Sequence, residues 1–255
     1  MKKRIAMLLA LALCIMGMAM AEAVVARTIN CAIEGGKYLI RMPLMEGEEG
    51  WVASDMAQDD SVVILENAGI EDGCFVARYA PTGDGEVSVG IRHFDGIACD
   101  AVMTWDLIVK DGAVTECTGG SHAESPKEDE LDPVLGGSWV EAENGTGEMF
   151  IEKNPDKGWN VQILTPGEGG AVEFDATVFY DCELNALVYA DGRFTRVPVT
   201  DDDASAAGEM ISDGNTGSFT LVGDDENDIR LEWYSSLSPE ESIGFVRAAD
   251  SIDQT

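Results

Sequence analysis

Short apolar runs separated by Gly, Asp and Asn recur along almost the whole chain. Val87, Val89 and Ile91 alternate with polar neighbours, which indicates a strand with one face buried and the other in water. Similar β-branched or aromatic runs occupy 38–42, 61–65, 75–79 and 102–109. About seven strands in fewer than about 100 residues are typical of an antiparallel sandwich.

The second half of the chain shows the same strand pattern. Asn144-Gly145 lies between two strand-like runs and is a strong short hairpin signal. Further runs follow at 159–164, 171–178, 186–189, 193–197, 217–222, 229–234 and 243–247. Sequential strands joined by short Gly and Asp turns predict an up-and-down antiparallel barrel. The one helical signal in this half is a single turn that begins at Ser238-Pro239.

A polar segment divides these two halves. Residues 118–135 are rich in Gly, Ser, Pro and acidic side chains, which predicts a solvated linker. We therefore expect an all-β protein with a sandwich domain at 24–117 and a barrel domain at 136–255.

The N-terminus has the features of an export signal. Lys2, Lys3 and Arg4 precede an apolar run over 5–21, and small residues follow, so we expect a signal peptide at 1–23. An uncleaved anchor is the alternative, but this run is at the lower limit for a membrane span. Lipidation at Cys14 is a second alternative, which Leu13 disfavours at a position where a lipobox has a small residue. The mature protein is expected to be secreted or held in the cell envelope, with no membrane span.

Charge narrows the choice of partners. The chain has 16 basic and 48 acidic residues, for a formal net charge of −32. A phosphate backbone requires a basic surface, so nucleic acid is excluded as a partner, and an anionic membrane would repel the protein. The 45% of hydrophobic residues is too high for a wholly disordered chain.

Five cysteines follow the expected signal peptide. An exported protein can keep disulfides, and four of the five lie in the first half, which leaves three possible pairings. A Cys31–Cys117 bridge would join the ends of the sandwich, with Cys74–Cys99 as the complementary pair and Cys182 as a buried thiol. None has Cys-x-x-Cys spacing, so a zinc or redox motif is not predicted.

Catalytic motifs are missing from the sequence. His93 and His122 are the two histidines, and there is no nucleophile elbow, phosphate loop or His-Glu-x-x-His. The acidic runs at 201–203 and 224–228 lack the spacing of an EF-hand and are interpreted as solvated turns. We predict no enzyme activity, no metal site and no cofactor.

Three loops of the first half resemble those of the chagasin-type cysteine-peptidase inhibitors. In that family an immunoglobulin-like sandwich inserts three loops into a papain-like active-site cleft. The matching segments share glycines, aromatics and an arginine, and they are Glu48-Glu49-Gly50-Trp51, Gly69 to Gly73 before Phe75, and Arg92-His93-Phe94. The resemblance implies an immunoglobulin-like fold and a papain-like cysteine peptidase as partner.

The first loop departs from the family pattern. Glu48 and Glu49 stand where those inhibitors have threonines, and two carboxylates in a partly dry cleft are costly unless they are paired. The resemblance therefore does not decide whether this loop retains inhibition.

The second half resembles a lipocalin-like (calycin) barrel. Gly137-Ser138-Trp139 matches the Gly-x-Trp of the first strand in those barrels, and Arg247 matches a late basic residue that stacks on that tryptophan. The resemblance implies a structural Trp–Arg contact at one barrel end. It also implies either a small apolar ligand or an interior filled by side chains, for which the candidates are Phe174, Phe179, Tyr189 and Phe219.

Taken together, these patterns predict a secreted, non-catalytic binding protein. The leading hypothesis is inhibition of a papain-type cysteine peptidase through the first domain. The alternative is a small-molecule-binding or envelope-associated structural module that acts through the barrel.

Overall fold

The computed structural model describes residues 29–55, 61–167, 170–198, 208–223 and 229–248. These ranges form sixteen strands and one helix. The expected signal peptide at 1–23, Cys14 and the acidic runs at 201–203 and 224–228 lie outside the described residues. Within the described ranges, no helix has the length and apolarity that a membrane crossing requires.

Two four-stranded sheets form the first part of the protein. One sheet has the order β1-β2-β5-β4 and the other has the order β3-β6-β7-β8. The strands are β1 Asn30–Glu34, β2 Lys37–Pro43, β3 Trp51–Asp55, β4 Val63–Glu71, β5 Cys74–Pro81, β6 Gly85–Asp95, β7 Ala98–Lys110 and β8 Ala113–Glu124.

Alternating apolar residues build the core of this sandwich. Val89 and Ile91 of β6 are fully buried, as the alternation in the sequence predicts, and Ile40 and Met42 of β2 are buried likewise. The Tyr79 hydroxyl of β5 donates a hydrogen bond of 2.9 Å to the Gly90 carbonyl of β6, so a polar contact links the two sheets inside the core.

The second part is a closed antiparallel barrel of eight strands. The strands follow one another around the barrel in chain order, and the last pairs with the first. They are β9 Gly137–Glu141, β10 Glu148–Lys153, β11 Trp159–Gly167, β12 Gly170–Asp181, β13 Ala186–Val197, β14 Glu209–Val222, β15 Arg230–Ser235 and β16 Ser238–Arg247. The all-β prediction and the barrel prediction are confirmed.

Two local predictions are wrong. The expected linker at 118–135 is not a loop: β8 continues to Glu124, and helix α1 spans Glu128–Leu135. The turn expected at Ser238 is instead the start of β16. Composition hid the helix because Pro133 lies inside it and half of its residues are acidic.

Helix α1 is stabilised by its charge pattern and by one apolar face. Glu128, Asp129 and Glu130 occupy its first turn, where carboxylates interact favourably with the unpaired N–H groups. Leu131 and Leu135, four residues apart, are buried in the hydrophobic core of the barrel.

The chain divides into two compact units. The sandwich unit contains the described residues up to Ile91 together with Thr104–Ser121, and the barrel unit contains Arg92–Met103 together with the described residues from His122 onward. Residues Arg92–Met103, where β6 ends and β7 begins, therefore belong to the barrel unit.

Candidate functional site

A cleft of about 440 Å³ lies at one edge of the sandwich unit. Its walls are the segments 44–53 and 68–75, which contain the first two loops of the inhibitor resemblance. β3 and β4 border it, and each is one of the two terminal strands of its sheet in the described part of the chain. The structure thus brings Glu48, Glu49, Gly50, Trp51 and Gly69 together in one cleft.

Glu48 organises the first loop. Its carboxylate accepts hydrogen bonds of 2.8 Å from the Met45 backbone N–H and 2.8 Å from the Trp51 indole N–H. The Glu48 N–H in turn donates to the Met45 carbonyl at 3.1 Å. A carboxylate held in this way pays little of the desolvation cost that the sequence suggested, because charged hydrogen bonds already satisfy it.

The second loop is a tight turn fastened to the first. Asp72 and Gly73 have φ values of 49° and 72°, and the Gly73 carbonyl accepts a hydrogen bond of 3.0 Å from the Leu44 N–H. Gly50 has a φ of 89°, in the region that glycine adopts at low cost. The two loops are therefore defined by backbone geometry as well as by side chains.

Large apolar side chains are exposed around this cleft. Ile70 is 64% exposed and Met45 is 63% exposed, and Val52 is also exposed. Sequence analysis placed Ile70 in the second loop of the resemblance but did not single out these side chains as exposed apolar groups. Their positions in turn-flanking segments with adjacent acidic residues were the available signal.

The third segment of the resemblance belongs to the barrel unit. Arg92 forms an ion pair with Glu183, and His93 Nδ1 lies 2.5 Å from Asp100 Oδ1. Phe94 is half-buried and is not among the residues that line the cleft of 44–53 and 68–75. The structure brings two of the three expected loops together in that cleft.

Trp139 and Arg247 meet at one end of the barrel. The guanidinium carbon of Arg247 lies 5.2 Å from the centroid of the Trp139 ring, a distance at which a cation and an aromatic ring attract. The same guanidinium donates hydrogen bonds of 2.8 Å and 2.6 Å to the Pro133 and Val134 carbonyls of α1. The Trp139 indole N–H donates to the Leu135 carbonyl at 2.9 Å.

The backbone at residue 137 favours glycine, the first residue of the Gly-x-Trp motif. The φ of Gly137 is 113°, and a Cβ at this position would lie 3.7 Å from the Arg247 guanidinium. A side chain there would thus be strained and would face Arg247. These contacts join the barrel end to α1.

Aromatic side chains fill the barrel interior. The Phe174 ring centroid lies 4.8 Å from that of Trp233, 4.9 Å from that of Phe194 and 5.1 Å from that of Tyr189. The Trp233 indole N–H donates to the Tyr189 hydroxyl at 2.9 Å. Phe174, Tyr189 and Phe219 are interior, as expected for a filled barrel, and these rings occupy the space that an interior ligand would need.

Phe179 is the exception among the expected interior residues. It lines a cleft of about 680 Å³ on the outer face of the barrel, together with Ile97 and Phe150. Asp175, Asp191, Asn160, Gln162 and Arg193 add polar groups to the same cleft.

The predicted disulfide framework is absent. Cys31, Cys74, Cys99, Cys117 and Cys182 are all free thiols. The Cys117 sulfur lies 3.4 Å from the Tyr38 hydroxyl, which also hydrogen-bonds Cys31. Cys99 contacts Cys182 rather than Cys74, and Cys74 is hydrogen-bonded to Arg41.

Across the described residues, no group of three or more His, Cys, Asp or Glu side chains is arranged to hold a metal ion. The second histidine, His122, lies near the end of β8, where its Nε2 is 3.6 Å from Glu124 Oε1. No known protein family, no curated protein and no solved structure matches the chain.

Proposed function

We propose that this is a secreted, non-catalytic binding protein that engages another protein through the cleft of 44–53 and 68–75. The observation that carries the proposal is the exposure of Ile70 and Met45 around a cleft at the sandwich edge. Exposed apolar side chains grouped around a concave surface are characteristic of sites that bind proteins. We call this surface the edge cleft.

Chemistry at the edge cleft favours a partner with an apolar protrusion. Trp51, Ile70 and Phe75 line it, and Glu49 is its acidic rim residue on the first loop. Since Glu48 is already held by Met45 and Trp51, a partner would not need to neutralise that carboxylate.

The candidate partner is a papain-like cysteine peptidase, which comes from the loop resemblance. Two of the three resembling segments contribute to the edge cleft. The direct experiment titrates papain with the protein and measures residual peptidase activity. Loss of activity at stoichiometric or micromolar protein is expected, and full activity at these concentrations would contradict the peptidase as partner.

Paired variants locate the binding surface. Ile70→Asp places a charge in the edge cleft, whereas Met210→Asp changes a side chain of similar exposure on the barrel strand β14. Inhibition should weaken at least tenfold with Ile70→Asp and stay unchanged with Met210→Asp. Equal inhibition by both variants would show that the edge cleft is not the binding surface.

A second candidate function uses the outer barrel cleft. Ile97, Phe150 and Phe179 give it apolar contact area, and its carboxylates and amides can orient a polar group. A small molecule bound there would need no space inside the filled barrel. Equilibrium binding of the neutral fluorophore N-phenyl-1-naphthylamine tests this site.

Phe150→Ala should abolish that fluorescence enhancement, and Tyr234→Ala, an exposed aromatic elsewhere on the barrel, should retain it. If the two variants bind the fluorophore equally, the outer cleft is not its site.

A further inference from the structure

Two cysteine thiols lie side by side in the barrel unit. Cys99 is in β7, within the segment Arg92–Met103, and Cys182 follows directly after β12. The Cys182 N–H donates a hydrogen bond of 2.8 Å to the Cys99 carbonyl. Each thiol is among the groups that shift the pKa of the other, so the two side chains are neighbours.

Asp181 fixes the backbone on both sides of this pair. This buried carboxylate accepts hydrogen bonds from the Cys99 N–H at 2.9 Å, the Glu183 N–H at 3.0 Å and the Leu184 N–H at 2.9 Å. The backbones of the two cysteines are therefore held beside each other.

This backbone contact brings the two residues within reach of a covalent bond. Disulfides join Cα atoms about 4.4–6.8 Å apart, and the hydrogen bond from the backbone of one cysteine to the backbone of the other keeps their Cα atoms close. Formation of the bond then requires rotation of the side chains, because both residues are free thiols.

The other cysteines have different neighbours. The Tyr38 hydroxyl contacts both Cys31 and Cys117. Cys74 is hydrogen-bonded to the Arg41 guanidinium. Among the described thiols, Cys99 and Cys182 are the pair joined by a backbone hydrogen bond.

We propose that Cys99 and Cys182 are an oxidisable pair that forms a disulfide with a small-molecule disulfide, such as oxidised glutathione, as the oxidant. The Cys182 thiolate attacks the oxidant and releases one reduced glutathione. The Cys99 thiolate then attacks the Cys182 sulfur of the mixed disulfide and releases the second. Two thiols lose two protons and two electrons, and one glutathione disulfide becomes two thiols.

Burial determines when this bond forms. Cys99 is fully buried, and its surroundings raise the pKa of the Cys99 thiol to about 12 and also raise the pKa of the Cys182 thiol. The thiolate is the attacking species, so oxidation of the folded protein is slow at neutral pH and accelerates as the pH rises. The bond forms during oxidative folding, and the same burial then shields it from reductants.

Peptide mapping tests the pairing directly. Trypsin places each of the five cysteines on a different peptide, with Cys99 on 93–110 and Cys182 on 158–193. The reduced, unfolded protein is refolded with oxidised and reduced glutathione, alkylated and digested without reductant. We expect a linked peptide with the summed mass of 93–110 and 158–193 less two hydrogen atoms.

Single variants provide the controls. Cys74→Ser should leave the 93–110/158–193 link intact, whereas Cys99→Ser and Cys182→Ser should each abolish it. Reduction should lower the melting temperature of Cys74→Ser by several degrees and leave that of Cys182→Ser unchanged, because only the former loses a cross-link.

Two results would overturn the proposal. One is alkylation of both Cys99 and Cys182 after refolding into a folded barrel, judged by its near-ultraviolet circular dichroism. The other is a dominant link from Cys99 to any cysteine other than Cys182. Because the map is read from the wild-type protein, a variant that fails to fold does not affect either result.

Discussion

The barrel and the sandwich use their large apolar side chains in opposite ways. In the barrel, Phe174, Trp233 and their neighbours point inward, and Trp139 with Arg247 is joined to helix α1. At the sandwich edge, Ile70 and Met45 are exposed to solvent beside a cleft. One unit buries its aromatic surface within itself, and the other leaves apolar surface available to a partner.

This difference indicates that binding is to be tested at the sandwich edge and stability in the barrel. In a closed barrel every strand has a neighbour on both sides, so no strand is terminal. The sheets of the sandwich do have terminal strands, and two of these, β3 and β4, lie beside the exposed side chains of the edge cleft. Substitutions inside the barrel should therefore change stability, and substitutions at the edge cleft should change binding.

The largest expected effect is in the barrel interior. Phe174→Ala removes a ring that contacts four other aromatic rings and should lower the free energy of unfolding by about 3–5 kcal/mol. Guanidinium unfolding followed by tryptophan fluorescence measures it. The matched control is Phe150→Ala on the outer face, which should cost under about 1 kcal/mol. Equal losses would mean that the interior rings are not the stabilising core.

The barrel end should show a smaller effect. Arg247→Gln removes the contact with Trp139 and the guanidinium bonds to α1, with an expected cost of about 1–2 kcal/mol. Arg196→Gln is the control, because its ion pair with Glu209 is exposed and contributes about 0–1 kcal/mol. The same unfolding experiment measures both, and a smaller loss for Arg247→Gln than for Arg196→Gln would argue against a role for Arg247 at the barrel end.

Glu48→Ala should have a local effect of about 1 kcal/mol in the sandwich. It removes the acceptor for the Met45 N–H and the Trp51 indole N–H, so the first loop loses two hydrogen bonds. Hydrogen exchange at the Met45 amide should accelerate, and Glu46→Ala, an exposed change in the same loop, should leave it unaltered. Unchanged exchange in Glu48→Ala would show that Glu48 does not hold the loop.

The smallest expected effect on stability is at the edge cleft itself. Ile70 is exposed, so Ile70→Asp should change the free energy of unfolding by less than about 0.5 kcal/mol while it weakens partner binding. Denaturant unfolding run alongside the papain titration separates the two. A large loss of stability would mean that Ile70 serves the sandwich core instead of a partner.

Local patterning predicted the strands well and the chain's other elements poorly. Alternation identified Val87, Val89 and Ile91 as buried, because the strand period is two whatever surrounds it. Helix α1 was missed because its two buried leucines are held by the barrel core, a contact that its composition does not reveal. Phe179 was misplaced although strand alternation was sufficient to place it, because it lies five residues after Phe174 on β12 and therefore faces the opposite way.

The candidate site was only partly predictable. Gly50, Gly73 and Trp51 were found because turn glycines and an adjacent aromatic leave a sequence signal. The contact of Cys99 with Cys182 left no such signal, because it joins residues far apart in the chain. The position of Ile70 beside a turn was a signal of its exposure, but the cleft next to it depends on packing between distant segments.

By itself, the sequence determined the all-β class, the barrel and the acidic charge, since these follow from residue period, turn residues and composition. Only the tertiary structure decided the rest: that aromatic rings fill the barrel, that Glu48 is held by Trp51, and that Cys99 lies against Cys182. The physical reason is that periodicity reports the nearest few residues, whereas contacts between distant strands arise only when sheets close and pack.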